Sequence, residues 1–89
     1  MFDYNAAEKA VLEVLEKAHR ELKADLFISE VIEQDFGWVF LYESSDSTTT
    51  ANATLIFDKT DGMVYIPGSA TNVASSVEQY RRGIRTPAQ

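Results

Sequence analysis

Apolar residues recur every three or four positions over residues 5–23, which is the period of an amphipathic helix. They are Ala7, Val11, Val14, Leu15, Ala18 and Leu22, and charged side chains fill most of the positions between them. Asn5 is followed three residues later by Glu8, a spacing that has the form of a capping box. The pattern therefore predicts a first helix that begins at about Asn5 and buries one face.

The pattern then changes to runs of β-branched and aromatic residues, which predict four strands. These runs are Leu26–Glu33, Trp38–Tyr42, Ala53–Phe57 and Met63–Ile66. Strict alternation fails in the first run, and a β-bulge would explain the failure. The second run is apolar on both parities, which is typical of a central strand.

Short turn sequences separate these runs. Gln34–Gly37 and Asp58–Gly62 each fit a hairpin connection, whereas residues 44–52 have the Ser/Thr-rich composition of a mobile surface loop. Ser75 with Glu78 three residues on predicts the start of a short C-terminal helix, which Gly83 ends. We expect residues 84–89 to be a frayed tail.

The order of these elements predicts one α+β domain over residues 1–83. It consists of an N-terminal amphipathic helix, a four-stranded antiparallel sheet made of two hairpins, and a short C-terminal helix. The helix at the N-terminus is expected to pack across one face of the sheet. A length of 89 residues leaves no room for a second core.

Composition and charge narrow the classes of partner. The chain has no cysteine, and neither a signal-peptide pattern nor an apolar run long enough to cross a bilayer is visible, so we expect a soluble, cytoplasmic protein. Residues 1–80 carry 5 Lys/Arg against 14 Asp/Glu, a formal balance of −9. A body of that sign repels phosphate backbones and anionic lipid, which argues against nucleic acid or a membrane as partner.

Residues suited to catalysis are scarce. His19 is the only histidine, and periodicity places it at the edge of the polar helix face, where a solvent-facing or capping role fits better than chemistry. Glu30, Glu33, Asp35 and Glu43 could in principle form an acid/base pair, but each lies next to a strand end or at a polar position of the alternation, as solvated edge charges do. We expect no metal site, no cofactor and no enzymatic activity.

Apolar side chains on both sides of the second strand indicate a surface that needs cover. Trp38, Phe40 and Tyr42 point to one face of the sheet, and Val39 and Leu41 point to the other. The first helix can cover one face. The other face must be covered by the second helix, by a second copy of the chain or by a partner, because a large apolar patch is rarely left in water. Monomer and homodimer both stay open.

The same region carries a family resemblance. Glu30–Glu33 and Phe36–Ser44 are similar to the central hairpin of the immunity protein 35, or YrhB-like, family. Leu55–Tyr65 resembles its apolar strand followed by Asp, a turn, Gly and Val-Tyr. Gly68–Ala70 and Val77–Tyr80 resemble its Gly-[Ser/Thr]-Ala segment and closing helix. The segment before the third strand is shorter here than in many relatives, so the identity of the partner does not transfer if that segment contacts it.

What the resemblance implies is protein binding. The family consists of small α+β proteins encoded beside polymorphic toxins of bacterial competition systems, and each neutralises its neighbour's toxin. One branch acts as a small heat-stable chaperone, which is the alternative function. We therefore expect a cognate toxin as partner, or client proteins held by an apolar sheet face. The expected contact residues are Phe36, Trp38, Tyr42 and Tyr65, with Glu33, Asp35 and Glu43 as rim charges.

Overall fold

The first helix, α1, spans Tyr4–Leu22 in the computed structural model, which describes residues 2–22, 26–44, 53–67 and 73–88. Asp3 is its N-cap: the Asp3 Oδ1 atom accepts the Ala6 N–H at 2.9 Å, and the Asp3 carbonyl accepts the Ala7 N–H at 3.1 Å. The predicted capping box at Asn5 and Glu8 is therefore wrong, because the chain becomes helical one residue before Asn5. The predicted amphipathic face is confirmed, since Ala7, Val11 and Leu15 are buried.

Five strands follow in one antiparallel sheet, in the order β1-β2-β3-β4-β5. Their bounds are Leu26–Gln34 for β1, Gly37–Ser44 for β2, Ala53–Asp58 for β3, Met63–Pro67 for β4 and Arg85–Pro87 for β5; the second helix, α2, spans Val73–Arg81. The α+β class is confirmed, but the count of four strands is wrong. Ser44, the first residue of the segment expected to be a loop, is the last residue of β2; residues 45–52 and the Gly68–Ala70 segment lie outside the described residues.

The fifth strand lies where a frayed tail was expected. Gly83 follows α2 with a φ of 83°, and the Gly83 and Ile84 N–H groups donate to the carbonyls of Tyr80 and Gln79, which is the geometry of a Schellman turn. This turn sends the chain back along β4. Three register pairs and a bond of 2.9 Å from the Ala88 N–H to the Val64 carbonyl then hold the segment on the sheet.

A bulge in β1 accounts for the failed alternation in the sequence. Ile28 pairs with Tyr42, whereas Glu30 pairs with Leu41, so Ser29 is an extra residue between them. The Ser29 hydroxyl donates to the Leu41 carbonyl at 3.2 Å. The bulge places Ile28 on the same face as Phe40 and turns Glu30 to the other face.

Each helix covers one face of the sheet. On the α1 face, Phe40, Leu55, Phe57 and Val64 form the larger cluster with the buried residues of α1. On the α2 face, the buried residues are Val39 and Ile56 with Tyr80 of α2; half-buried Ile32, Phe36, Leu41, Tyr65, Val73 and Val77 surround them. The second face of β2 is thus covered by this chain's own second helix.

Gly37 is the position at which a side chain would be least tolerated. Its φ is 152°, and an added Cβ would lie 1.9 Å from the backbone carbonyl oxygen of Phe57 on β3. The strands cannot separate at this point without breaking the pairing of Gly37 with Asp58. Any L-residue at this position therefore pushes β2 and β3 apart.

We expect Gly37→Ala to lower the free energy of unfolding by more than about 3 kcal/mol, because backbone strain and a backbone clash add together. Gly83→Ala is the matched control, since Gly83 also has a positive φ but an added Cβ there meets nothing within 4 Å. Its cost should be about 1–2 kcal/mol. Urea unfolding of the two variants measures the difference, and equal losses would contradict the assigned close approach.

Candidate functional site

The seven predicted contact residues do not form one surface. Trp38 and Tyr42 pack against the larger cluster on the α1 face. Glu33 lies on the same face because it pairs with Trp38 across the strands. Phe36 and Tyr65 lie against α2, and Glu43 lies on the α2 face opposite Phe27. Asp35 lies in the β1–β2 turn. Several of them belong instead to two separate arrangements, one against α2 and one on the α1 face.

The first arrangement joins Phe36 and Tyr65 to the C-terminal end of α2. The Tyr80 ring stacks on Phe36 with centroids 4.6 Å apart and meets Tyr65 edge-on at 5.7 Å. The Arg85 guanidinium carbon lies 4.2 Å from the Tyr80 centroid and 5.0 Å from that of Tyr65. These rings are contacted from within the chain, so they hold α2 and β5 on the sheet.

Carboxylates complete this arrangement. The Tyr80 hydroxyl donates to Asp58, and the Tyr65 hydroxyl donates to Asp61 at 2.6 Å. Burial raises the pKa of Asp58, but hydrogen bonds donated by Tyr80 and by the Thr60 backbone outweigh burial and lower its pKa overall. Burial and the bond to Asp58 raise the pKa of Tyr80, so its hydroxyl stays a donor.

Asp35 is also engaged within the chain. The Arg81 Nη2 atom lies 2.5 Å from Asp35 Oδ1, and the Arg81 guanidinium lies 5.1 Å from the centroid of the Phe36 ring. The hydrogen bond from Arg81 lowers the pKa of the Asp35 carboxyl. A partner would have to compete with Arg81 for this carboxylate, although both side chains are largely exposed.

The second arrangement is an exposed aromatic patch, defined as Phe2, Tyr4 and Trp38, at the N-terminal end of α1. Tyr4 meets Trp38 edge-on with centroids 5.8 Å apart. Beneath the patch lie two buried rings: Phe40 stacks on Tyr4 at 6.1 Å, and Phe57 is met edge-on by Phe2 at 6.1 Å. Phe2 is 45% exposed, Tyr4 is 38% exposed and Trp38 is half-buried.

Contacts within the chain fix the positions of Phe2 and Tyr4 in the patch. The Phe2 N–H donates to the Lys59 carbonyl at 2.9 Å, which ties the residues before α1 to the β3–β4 turn. The Phe2 ring lies against Gly62, where an added Cβ would be 2.5 Å from ring atoms. Tyr4 is in the first turn of α1, which Asp3 caps, and its ring contacts Trp38 and Phe40 of β2. The rings are therefore held in place before any partner arrives.

Carboxylates surround the patch. The Tyr4 hydroxyl donates to Glu8 Oε2 at 3.3 Å, and Glu33 is the cross-strand neighbour of Trp38. Asp3 lies between Phe2 and Tyr4 in the chain and is exposed. Partial burial, followed by the Glu8 carboxylate, raises the pKa of Tyr4. Within the described ranges, neither Glu8 nor Glu33 pairs with a basic side chain.

Sequence reasoning named Trp38 and Glu33 but missed Phe2 and Tyr4. The available signal was the identity of the N-cap: once Asp3 caps the helix, an aromatic residue stands on each side of the cap. An apolar residue just before an N-cap commonly packs back onto the domain. Tyr42 lies further along β2 on the same face, and burial raises its pKa.

Other features of the surface are weaker candidates for a binding site. Leu12, Phe27, Ile66 and Ile84 are each about half exposed, but they belong to different elements or connections. Two open depressions flank α1; one is lined by His19 with Leu12, Leu15, Glu16 and Leu26, and the other by Glu13, Val14, Lys17, Arg20 and Ala88. No His/Asp/Glu group in the described part of the chain has metal-binding geometry.

No family model, curated protein or solved structure matches this chain. The resemblance to the immunity protein 35 family therefore stays a prediction from the motifs quoted above. In the portion of the chain that the structure covers, no helix is both long and apolar enough to cross a membrane. What the geometry of the described residues defines is an α+β domain with a clustered aromatic surface on the α1 face.

We expect Tyr80→Phe to lower the free energy of unfolding by about 1–2 kcal/mol at pH 7, because a partly buried hydrogen bond to the Asp58 carboxylate is lost. The pKa of Asp58 is lowered on folding, so its contribution is present above its ordinary value of 3.8 and is lost as the pH falls through its folded value. The effect of Tyr80→Phe should therefore shrink from about pH 5 to about pH 2.

Tyr65→Phe is the matched control for this experiment. It removes a hydroxyl that bonds an exposed carboxylate, so it should cost less than about 1 kcal/mol. Chemical unfolding at several pH values measures both variants. A loss for Tyr80→Phe that is as large at pH 2 as at pH 7 would contradict the role given to Asp58.

Proposed function

We propose that this domain works by binding another protein through the aromatic patch, and that the partner is a toxin which the domain neutralises by occlusion. The observation that carries the proposal is the clustering of Phe2, Tyr4 and Trp38 as exposed or half-exposed rings on a buried aromatic base. Aromatic side chains in such clusters commonly supply most of the binding energy of an interface. The toxin as partner rests on the family resemblance of the sequence.

Rigid placement favours this use of the patch. The Asp3 cap and the bond from Phe2 to Lys59 hold the rings in the free protein, so binding pays little ordering entropy. The acidic balance of residues 1–80 adds a second contribution, because it accelerates association with a basic partner. An inhibitor that must engage a toxin quickly benefits from both properties.

A holdase-like chaperone is the second candidate function. It is favoured by the half-exposed apolar side chains outside the patch, on α1, β1 and β4, which could hold unfolded clients with little selectivity. The two functions differ in stoichiometry. A cognate inhibitor saturates at a fixed ratio and ignores unrelated unfolded proteins, whereas a holdase suppresses aggregation of several clients.

We expect Phe2→Ala and Tyr4→Ala each to weaken binding to the toxin encoded by the neighbouring gene by about ten- to a hundredfold, because each removes a central ring. Leu12→Ala is the control, since Leu12 is an apolar residue of α1 that is 47% exposed and lies outside the patch. Calorimetric titration measures affinity, and circular dichroism melts verify folding. Unchanged affinity in both patch variants would reject the patch as the binding site.

A further inference from the structure

Two arginine side chains on the α2 face have the same kind of environment: each guanidinium group lies on an aromatic ring and near a carboxylate. Arg81 lies on the Phe36 ring and pairs with Asp35. Arg85 lies on the rings of Tyr80 and Tyr65, whose hydroxyls bond Asp58 and Asp61. In both cases the face of the ring and the nearby negative charge stabilise the planar guanidinium group in its position.

Within the described residues, the aromatic patch offers the same combination without a cation. Tyr4 has Glu8 at hydrogen-bond distance, and Trp38 has Glu33 as its cross-strand neighbour. Lys9 follows Glu8 in α1, and the Lys59 carbonyl bonds Phe2. Over the described ranges, neither ammonium group pairs with these carboxylates or lies on these rings.

We propose that the aromatic patch recognises an arginine side chain of the protein partner, which lies on the rings of Tyr4 and Trp38 and is paired with Glu8 and Glu33. The inference rests on the proposed function and specifies what the partner presents. Tryptophan is the strongest ring acceptor for a cation, and the carboxylates supply the counter-charge. A lysine fits less well, because its ammonium group is compact and more strongly hydrated than a guanidinium.

Trp38 makes the test direct, since it is the only tryptophan of the chain and reports on the patch itself. The probe is a synthetic peptide of three Gly-Arg repeats with blocked ends, compared with its lysine and citrulline analogues. Citrulline keeps the planar shape of arginine but lacks the charge. Trp38 fluorescence and the indole N–H signal in nuclear magnetic resonance spectra are followed at about 0.05 M and about 0.5 M salt.

We expect a saturable change of the Trp38 signals with the arginine peptide, a response about two- to fivefold weaker with lysine, and none with citrulline. The double variant Glu8→Gln and Glu33→Gln should weaken arginine-peptide binding by about fivefold or more. Glu21→Gln with Glu30→Gln makes the same change in net charge away from the rings, and it should leave the affinity within about twofold.

Three outcomes would overturn the inference: equal losses in the two double variants, an equal response to citrulline, or no saturable Trp38 response. These outcomes are distinguishable from failure of the proposed function. If Phe2→Ala and Tyr4→Ala still weaken toxin binding while the arginine peptide does not bind, the patch is the interface but recognises a group other than arginine. If those variants bind the toxin normally, the patch is not the interface.

Discussion

The structure depends on one constraint, which is that β2 is apolar on both sides. Val39 and Phe40 are consecutive residues, both fully buried, and they point to opposite faces of the sheet. A strand of this kind is stable only if each face is covered. In an 89-residue chain the cover comes from the two helices, so α1, the sheet and α2 form three layers, with β2 in the middle layer.

The two helices meet this constraint differently, and the difference creates the exposed surface. α1 is long and brings Ala7, Val11 and Leu15 onto the sheet, yet its first turn lies near the start of β2. The rings at that end are therefore only partly covered. α2 is short and buries only Ser76 and Tyr80 among its residues. Ring stacking, cation–π contacts and carboxylate bonds at its C-terminal end supplement this small apolar contact.

Local patterns in the sequence are sufficient to predict the parts of the fold that local rules decide. The period of the apolar positions predicts α1, the apolar residues on both parities predict that β2 lies between two other strands, and the failed alternation predicts the bulge near Ser29. β5 could not be predicted in this way, because three exposed residues ending in proline have little strand character of their own. The turn at Gly83 reverses the chain locally, but the pairing itself depends on β4, which lies far earlier in the chain.

The candidate site could be predicted only in part, because a turn interrupts the alternation of side chains on which the prediction depended. Trp38 and Phe36 are two residues apart, so simple alternation would place both rings on one face. The turn and the unusual φ of Gly37 intervene, and Phe36 lies against α2 while Trp38 lies on the α1 face. Phe2 and Tyr4 were missed because their role depends on the position of the helix cap. Parity arguments are reliable within a regular stretch of strand and fail across a turn or a bulge.

The charge around the aromatic patch bears on self-association, which the sequence left open. In a two-fold dimer formed through the patch, Glu8 and Glu33 of one copy would face the same carboxylates of the other. Exposed rings alone would favour such a dimer, but like charges at close range oppose it and favour a basic partner instead. In the proposed function, the carboxylates would therefore have two roles: they would oppose pairing of the patch with itself and favour a partner of opposite charge.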